Sequence, residues 1–291
     1  MEVVRTKNNG LLCCINDNRE RDYYRIYDFI DNAVSYDCST DLDIVFNTGA
    51  AFGNFQKLLI NFHISSLTDT IPYFHHTDMR YRALINDIKI DSQGRVEEVA
   101  PEIVFLLMRE DLYPTITNLL GKSEIPYRVT HNDTKVNNVL MNKDTGDYLA
   151  VIDLDTVMPG SLLFDYGDGI RSTASSTKED ETDLNKVCLD LKLFEAYTDG
   201  YLSQMAPYIT QTELMLMGES IRIITLELAI RFLNDYINGD TYFKINYPKH
   251  NLDRARNQIA LAKNIENQMD YINSYIYESY NRYNKEKKLI L

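Results

Sequence analysis

Between residues 127 and 155 the hydrophobic pattern changes from the period of a helix to the period of a strand, and long helical stretches lie on either side. In YRVTH, VLMN and YLAVIDL apolar side chains recur at every second position, and KDTGD between the last two has the composition of a hairpin turn. Any fold for this chain must therefore hold a small β-island inside a helical body. The string HNDTKVNN, residues 131–138, joins the first two of these strands. It is too polar for a core and too tightly bounded for a wandering loop.

The remaining pattern agrees with an α+β chain. Residues 10–30, GLLCCINDNRERDYYRIYDFI, read as two β-runs around a polar turn at Asn16 to Arg21. From Leu42 to Leu59 apolar residues return near period 3.6, with Ser39 and Thr40 as expected caps. Further helical stretches are predicted at about 77–90 and 94–120, the second ending at Gly121, and in long blocks near 180–204, 211–238 and 251–284. The sequence contains no internal repeat and no low-complexity linker.

At 291 residues and 44% hydrophobic, the chain has enough apolar material for a large core. Its 43 acidic and 30 basic residues give a net charge of -13, which repels phosphate backbones and anionic membranes. Neither nucleic acid nor a membrane is expected as a partner. An anionic substrate would need a local group of cations, amides or a metal to override that field. The 4 cysteines, at 13, 14, 38 and 188, have neither metal-ligand spacing nor a disulfide framework, and the early apolar run is too short for a signal core, so the expected home is the cytoplasm.

The polar residues of the β-island suit one chemistry in particular. A carboxylate after a strand, an amide five residues on and further carboxylates across a hairpin converge on one cleft at the hairpin's mouth. Phosphoryl transfer needs a group to orient the attacking hydroxyl, oxygen ligands for Mg²⁺, and a cation near the migrating phosphoryl. Asp133 fits the first need, Asn138 and Asp153 the second, and Lys135 the third. Asp155, two residues past Asp153 on what reads as a strand, is expected to share its face and to be a further ligand. His131 reads as a brace for the loop.

The pattern H-x-D-x-x-x-x-N followed by I-D resembles the catalytic loop and metal-binding Asp of the protein-kinase-like superfamily, and is closer to its aminoglycoside phosphotransferase and choline kinase branch. The strings THNDTKVNNVLMNKDTGDYLAVIDLDTVMPGSLLFDYGDGIR, RFLNDYINGDTYFKINYPKHNLDRAR and YRIYDFIDNAVSYD are similar to the N-acetylhexosamine 1-kinases. The resemblance implies a kinase-like fold, ATP and Mg²⁺, and transfer to the anomeric hydroxyl of an N-acetylhexosamine, with another small alcohol such as choline or an aminoglycoside as the alternative acceptor. It implies Asp133 as the catalytic residue and a sugar-binding Arg231, with Tyr242 beside it as a weaker candidate. It also makes Asp28, Phe29 and Ile30 the hinge facing adenine. Asn rather than Arg before Asp133, and IDLD in place of D-F-G, speak against a protein kinase.

Residues 1–30 then correspond to the last part of an ATP-binding lobe and residues 31–291 to the helical catalytic lobe. No phosphate-covering loop or strand lysine precedes the hinge, so the expectation is a true start upstream of Met1, with a catalytically silent binding module as the rival. Asp165 and Asp168 read as capping and bracing groups at a helix start. Arg231 continues the stripe Met217, Ile221, Ile224, Leu228, which puts a guanidinium where an apolar side chain is expected. Its alternatives are an ion pair with a core carboxylate or a fork toward a ligand.

Overall fold

A computed structural model describes residues 2–17 and 20–288. Strands β1 (Cys13–Asp17) and β2 (Glu20–Tyr24) form the expected antiparallel hairpin, with Cys13 opposite Tyr24 and Asp17 opposite Glu20. The strands run further in than the sequence suggests, and the two residues joining them lie outside the described residues. Residues 2–4 lie along 26–28, where the Val4 and Asp28 N–H groups donate to Ile26 and Glu2 carbonyls. Leu12, Ile15, Tyr23 and Ile26 on this hairpin stay at least half exposed.

The β-island forms two small sheets rather than one. Strands β3 (Ala33–Val34), β5 (Val139–Asn142) and β6 (Tyr148–Val151) make the first, in the order β3-β5-β6. The turn across 143–147 uses Gly146 at φ 75°, a left-handed backbone that glycine adopts without strain. Strands β4 (Arg128–Thr130) and β7 (Met158–Gly160) pair separately, with Val129 opposite Pro159. The polar string 131–138 leaves β4 and enters β5, so it bridges the two sheets.

Helix α1 (Leu42–Leu58) starts one residue later than expected: Asp41 accepts the Asp43 N–H, and Ser39 instead accepts from Asp41. Helix α2 (Thr77–Ile90) matches its prediction. The stretch 94–120 is not continuous. It divides into α3 (Ala100–Leu107) and α4 (Thr115–Gly121), with a turn of 3-10 helix at Glu110–Leu112 between them and Pro114, which has no N–H to donate, directly before α4. Gly121 is the last helical residue and not the stop; the chain turns at Ser123, φ 59°. Helix α5 (Leu162–Thr173) is capped by Ser161, not by Asp165. Helix α6 (Leu191–Met205) is shorter than its predicted block, and the last block breaks at Gln268 into α8 (His250–Asn267) and α9 (Met269–Lys288).

Helix α7 (Gln211–Ile237) is the centre of the helical body. Residues on all its faces are buried, including Ile223, Leu226 and Ile230 beside the predicted stripe, and α2, α5, α8 and α9 pack around it. A helix apolar on every side is stable only in such a surround. Its first turn is closed by a capping box in which Thr210 and Glu213 exchange hydrogen bonds. The same buried Glu213 takes a two-bond fork from Arg128, Nε–Oε1 2.8 Å and Nη2–Oε2 2.8 Å, which anchors β4 to the core.

Helices α1 and α6 meet backbone to backbone. A Cβ at Gly200 would lie 1.9 Å from the Phe46 carbonyl oxygen, and one at Gly49 2.2 Å from that of Tyr197. Neither neighbour is a side-chain end that can swing aside. Gly200→Ala should therefore lower unfolding free energy by about 3 kcal/mol or more in urea titration. Gly121→Ala, which meets nothing within 4 Å, should change it by less than about 1 kcal/mol.

Candidate active site

The loop 131–138 is held from beneath by one buried carboxylate. Asp165, in the first turn of α5, accepts the His131 N–H at 2.9 Å, the Asn132 N–H at 2.7 Å and the Gln56 side-chain amide at 2.6 Å. Burial pushes the Asp165 carboxyl above the ordinary carboxylate range, while these donors favour its ionised form. With three donors around it, the geometry is that of a carboxylate. Asp168 does the same work further on: it accepts the Thr134 N–H and takes both Nε and Nη2 of Arg171. Burial opposes its charge, but Arg171 and Lys135 hold it below the usual range.

His131 is fully buried and edge-on to Phe52 and Phe55. Its Nε2 donates to the Ile152 carbonyl at 2.9 Å and its Nδ1 accepts the Asp133 N–H at 3.3 Å, which fixes one neutral tautomer. The ring thus ties the strand before Asp153 to the loop carrying Asp133. It has no open nitrogen for proton transfer.

Asp133 is partly exposed and held at both oxygens: Oδ1 by Lys135 at 2.8 Å, Oδ2 by the Asn138 amide at 3.0 Å. That amide also reaches the Asp133 carbonyl at 2.8 Å, so Nδ2 is spent and Oδ1 of Asn138 is left as the free acceptor. Burial works against the Lys135 charge, yet Asp133 and Asp168 outweigh it and raise its pKa. Lys135 is a permanent cation here.

Asp153 and Asp155 line a cleft of about 530 Å³ beneath the N-terminal hairpin, together with Leu12, Tyr23, Arg25 and Tyr27. The expected strand geometry of this pair does not hold. The strand ends at Val151, Asp153 adopts φ 58°, and 154–156 form a turn of 3-10 helix, so alternation no longer decides where Asp155 points. The carbonyl of Asp155 instead accepts from Thr70. Among the described residues no three His, Cys, Asp or Glu side chains gather as a metal centre. Asn138 and Asp153 together offer only the few oxygens that Mg²⁺ takes from protein when phosphates and water fill its other positions.

Asp28, Phe29 and Ile30 do not line this cleft; Tyr27 does. The Asp28 N–H is already given to Glu2, and Phe29 is 88% exposed. On the other side of Asp133 is a second cavity of about 280 Å³, walled by Lys135, Asp168, Arg171, Arg231, Lys244 and Arg254 among others. It shares no lining residue with the cleft under the hairpin. Arg231 is half-buried, not buried, and forms no ion pair among the described residues; Phe74, Phe243 and Tyr242 surround it at 5.0, 5.5 and 6.0 Å. Tyr242 is 67% exposed and lines a neighbouring pocket that shares Arg231, rather than this cavity. Asp235 is a loop brace, accepting the N–H groups of Thr241, Tyr242 and Phe243.

Sequence reasoning missed His75 and Glu227. Glu227, on α7, accepts from His75 Nδ1 at 2.8 Å and from Thr77 at 2.6 Å, and His75 Nε2 lies 3.1 Å from the Asn132 carbonyl. Both ring nitrogens face acceptors, so the imidazolium is the form that fits. This holds Asn132, a non-glycine at φ 66°, beside Asp133. No local signal marks a pair 152 positions apart. Burial alone would lower the His75 pKa; Glu227 more than offsets it and the value is raised. The resulting stability is complete below the ordinary histidine value of ~6.5 and lost as pH rises through the folded value. The stability advantage of the native chain over His75→Gln, from urea titrations across pH, should thus shrink as pH is raised above about 6.5.

The chain is similar to known proteins. The profile of the phosphotransferase enzyme family matches residues 9–199, which include the whole loop 131–138, Asp153, Asp165 and Asp168. An uncharacterised kinase-like protein of Caenorhabditis elegans is 25% identical over 207 residues, 66% of this chain and 48% of that protein. The chain thus spans about half the length of the curated relative it matches. A microcompartment-associated aminopropanol kinase superimposes with TM-score 0.58 at 14% identity, over 94% of this chain and 76% of that one, and shares the fold. A Plasmodium vivax ethanolamine kinase gives TM-score 0.43 at 14% identity, over 85% and 67%. With a fold that is kinase-like in its helical body, this chain belongs to the phosphotransferase enzyme family.

Proposed function

We propose that the protein is an ATP- and Mg²⁺-dependent kinase for a hydroxyl of a small molecule, with the anomeric hydroxyl of an N-acetylhexosamine as the acceptor class. The observation that carries this reading is the place of Asp133. It lines the 280 Å³ cavity, and Asn138 and His131 tie it to the chain that carries Asp153 into the cleft under the hairpin. The nucleotide belongs in that cleft, between the hairpin and Asp153, and the acceptor in the smaller cavity. The sugar class rests on the motif strings around 130–171 and 231–256.

In the reaction the acceptor oxygen forms a bond to the γ-phosphorus while the bond to the β–γ bridging oxygen breaks, and ADP leaves. Asp133 accepts the hydrogen bond of the attacking hydroxyl and finally its proton. An ordinary carboxylate suffices, because a loose transition state demands orientation more than early deprotonation. Lys135 must swing from Asp133 Oδ1 toward the migrating phosphoryl, which frees that oxygen for the acceptor. Asn138 Oδ1 and the Asp153 carboxylate would hold Mg²⁺, which when bound neutralises phosphate charge.

Asp133→Asn should cut kcat by about 10³-fold with the fold intact by circular dichroism. Asp153→Asn should raise the Mg²⁺ concentration needed for half-maximal rate at fixed ATP. ADP release measured across N-acetylglucosamine, N-acetylgalactosamine, ethanolamine, choline and an aminoglycoside sets the class; turnover confined to the amine-bearing alcohols would sink the sugar assignment.

A further inference from the structure

The cavity beside Asp133 is electropositive in a chain of net charge -13. Five cationic side chains and three carboxylates line it, an excess of two positive charges before His75 is counted. Two of the cations are neutralised in place: Lys135 by Asp133, and Arg171 by Asp168 and Glu179. Arg231, Lys244 and Arg254 form no ion pair among the described residues. They come from three separate pieces of chain: α7, the loop after it, and α8. Arg254 gives Nη1 to the Lys244 carbonyl and the Asn251 side chain, while its buried Nε has no partner at all. An orphaned buried donor costs about 1–3 kcal/mol. Glu227, one turn before Arg231, is already bonded to His75 and Thr77, so it does not serve Arg231 as a fork acceptor.

Three unpaired cations around one cavity on a strongly acidic protein call for an anion. The cleft assigned to the nucleotide shares no lining residue with this cavity, and Lys135 is the cation assigned to the transferred phosphoryl group, so Arg231, Lys244 and Arg254 are left over. We infer that the acceptor carries, besides the hydroxyl it presents to Asp133, an anionic group, carboxylate or phosphate, bound by Arg231, Lys244 and Arg254. This rests on the kinase reading above and narrows it to an acidic sugar. The same charges repel the ammonium group of an amino alcohol.

Calorimetric titration without nucleotide, using N-acetylglucosamine, N-acetylglucosamine 6-phosphate, glucuronate and ethanolamine, separates the possibilities. One of the two acidic ligands should bind at least about tenfold tighter than the neutral sugar, with ethanolamine weakest; which acid wins distinguishes phosphate from carboxylate. Arg231→Gln should erase that preference. So should Lys244→Glu, which alters an exposed side chain and leaves the fold intact. Equal binding of neutral and acidic sugars, or a preference unchanged in both variants, overturns the inference. So does an equal fall of kcat for neutral and acidic acceptors in the variants with their KM values unmoved, because the cations would then serve the transferred phosphoryl group. Acidic ligands that bind with the expected preference but release no ADP would sink the kinase reading and leave the anion site standing.

Discussion

The carboxylate of Asp165 is the point on which the site depends. Burying an ion costs several kcal/mol unless its hydrogen bonds are replaced, and here they are replaced by the two backbone N–H groups that lead into Asp133 and by Gln56 from α1. The loop 131–138 has little apolar material of its own to pack, so it is positioned by polar groups presented from three helices: Asp165 and Asp168 on α5, Gln56 on α1, and Glu227 on α7 acting through His75. Such a network is stable only when every member is satisfied. Asn132 at φ 66° is kept by it, with its N–H, carbonyl and side chain all engaged.

Helix α7 joins that scaffold to the cavity beside Asp133. Glu227, Arg231 and Asp235 fall at spacings of four, along one side of the helix. The first reaches the loop 131–138 through His75, the second faces the cavity, and the third holds the 241–243 loop, so that Phe243 and the following Lys244 line the cavity. One helix thus relates the cavity wall to Asp133 through rigid backbone. The global negative charge of the chain makes the local excess of cations more specific, since outside the cavity the field favours no anion.

Much of this was legible because it was local. The HNDTKVNN string, its flanking strands, the KDTGD turn and helices α1, α2 and α7 follow from periodicity and turn chemistry within short windows. The errors were local as well. An apparent helix ends at Leu107 and a new one starts only after Pro114, Asp41 displaces two cap candidates, and the strand ends at Val151, two residues before Asp153, which removes the alternation that would pair it with Asp155. Arg231 stands out in the sequence as a break in an apolar stripe, though its forming no ion pair among the described residues depends on Glu227 being engaged by His75 and Thr77.

By itself the sequence determined which residue types stand in the loop, that a β-island interrupts a helical chain, and that any anion would have to be met by a local group of cations. Tertiary structure alone decided which cations those are and what holds the loop. Arg231, Lys244 and Arg254 share a cavity, and Glu227 reaches Asn132 through His75, only because α2, α5, α7 and α8 pack around one core. Interactions of that range leave no periodic trace in a chain, because their geometry is set by helix packing rather than by neighbours in sequence.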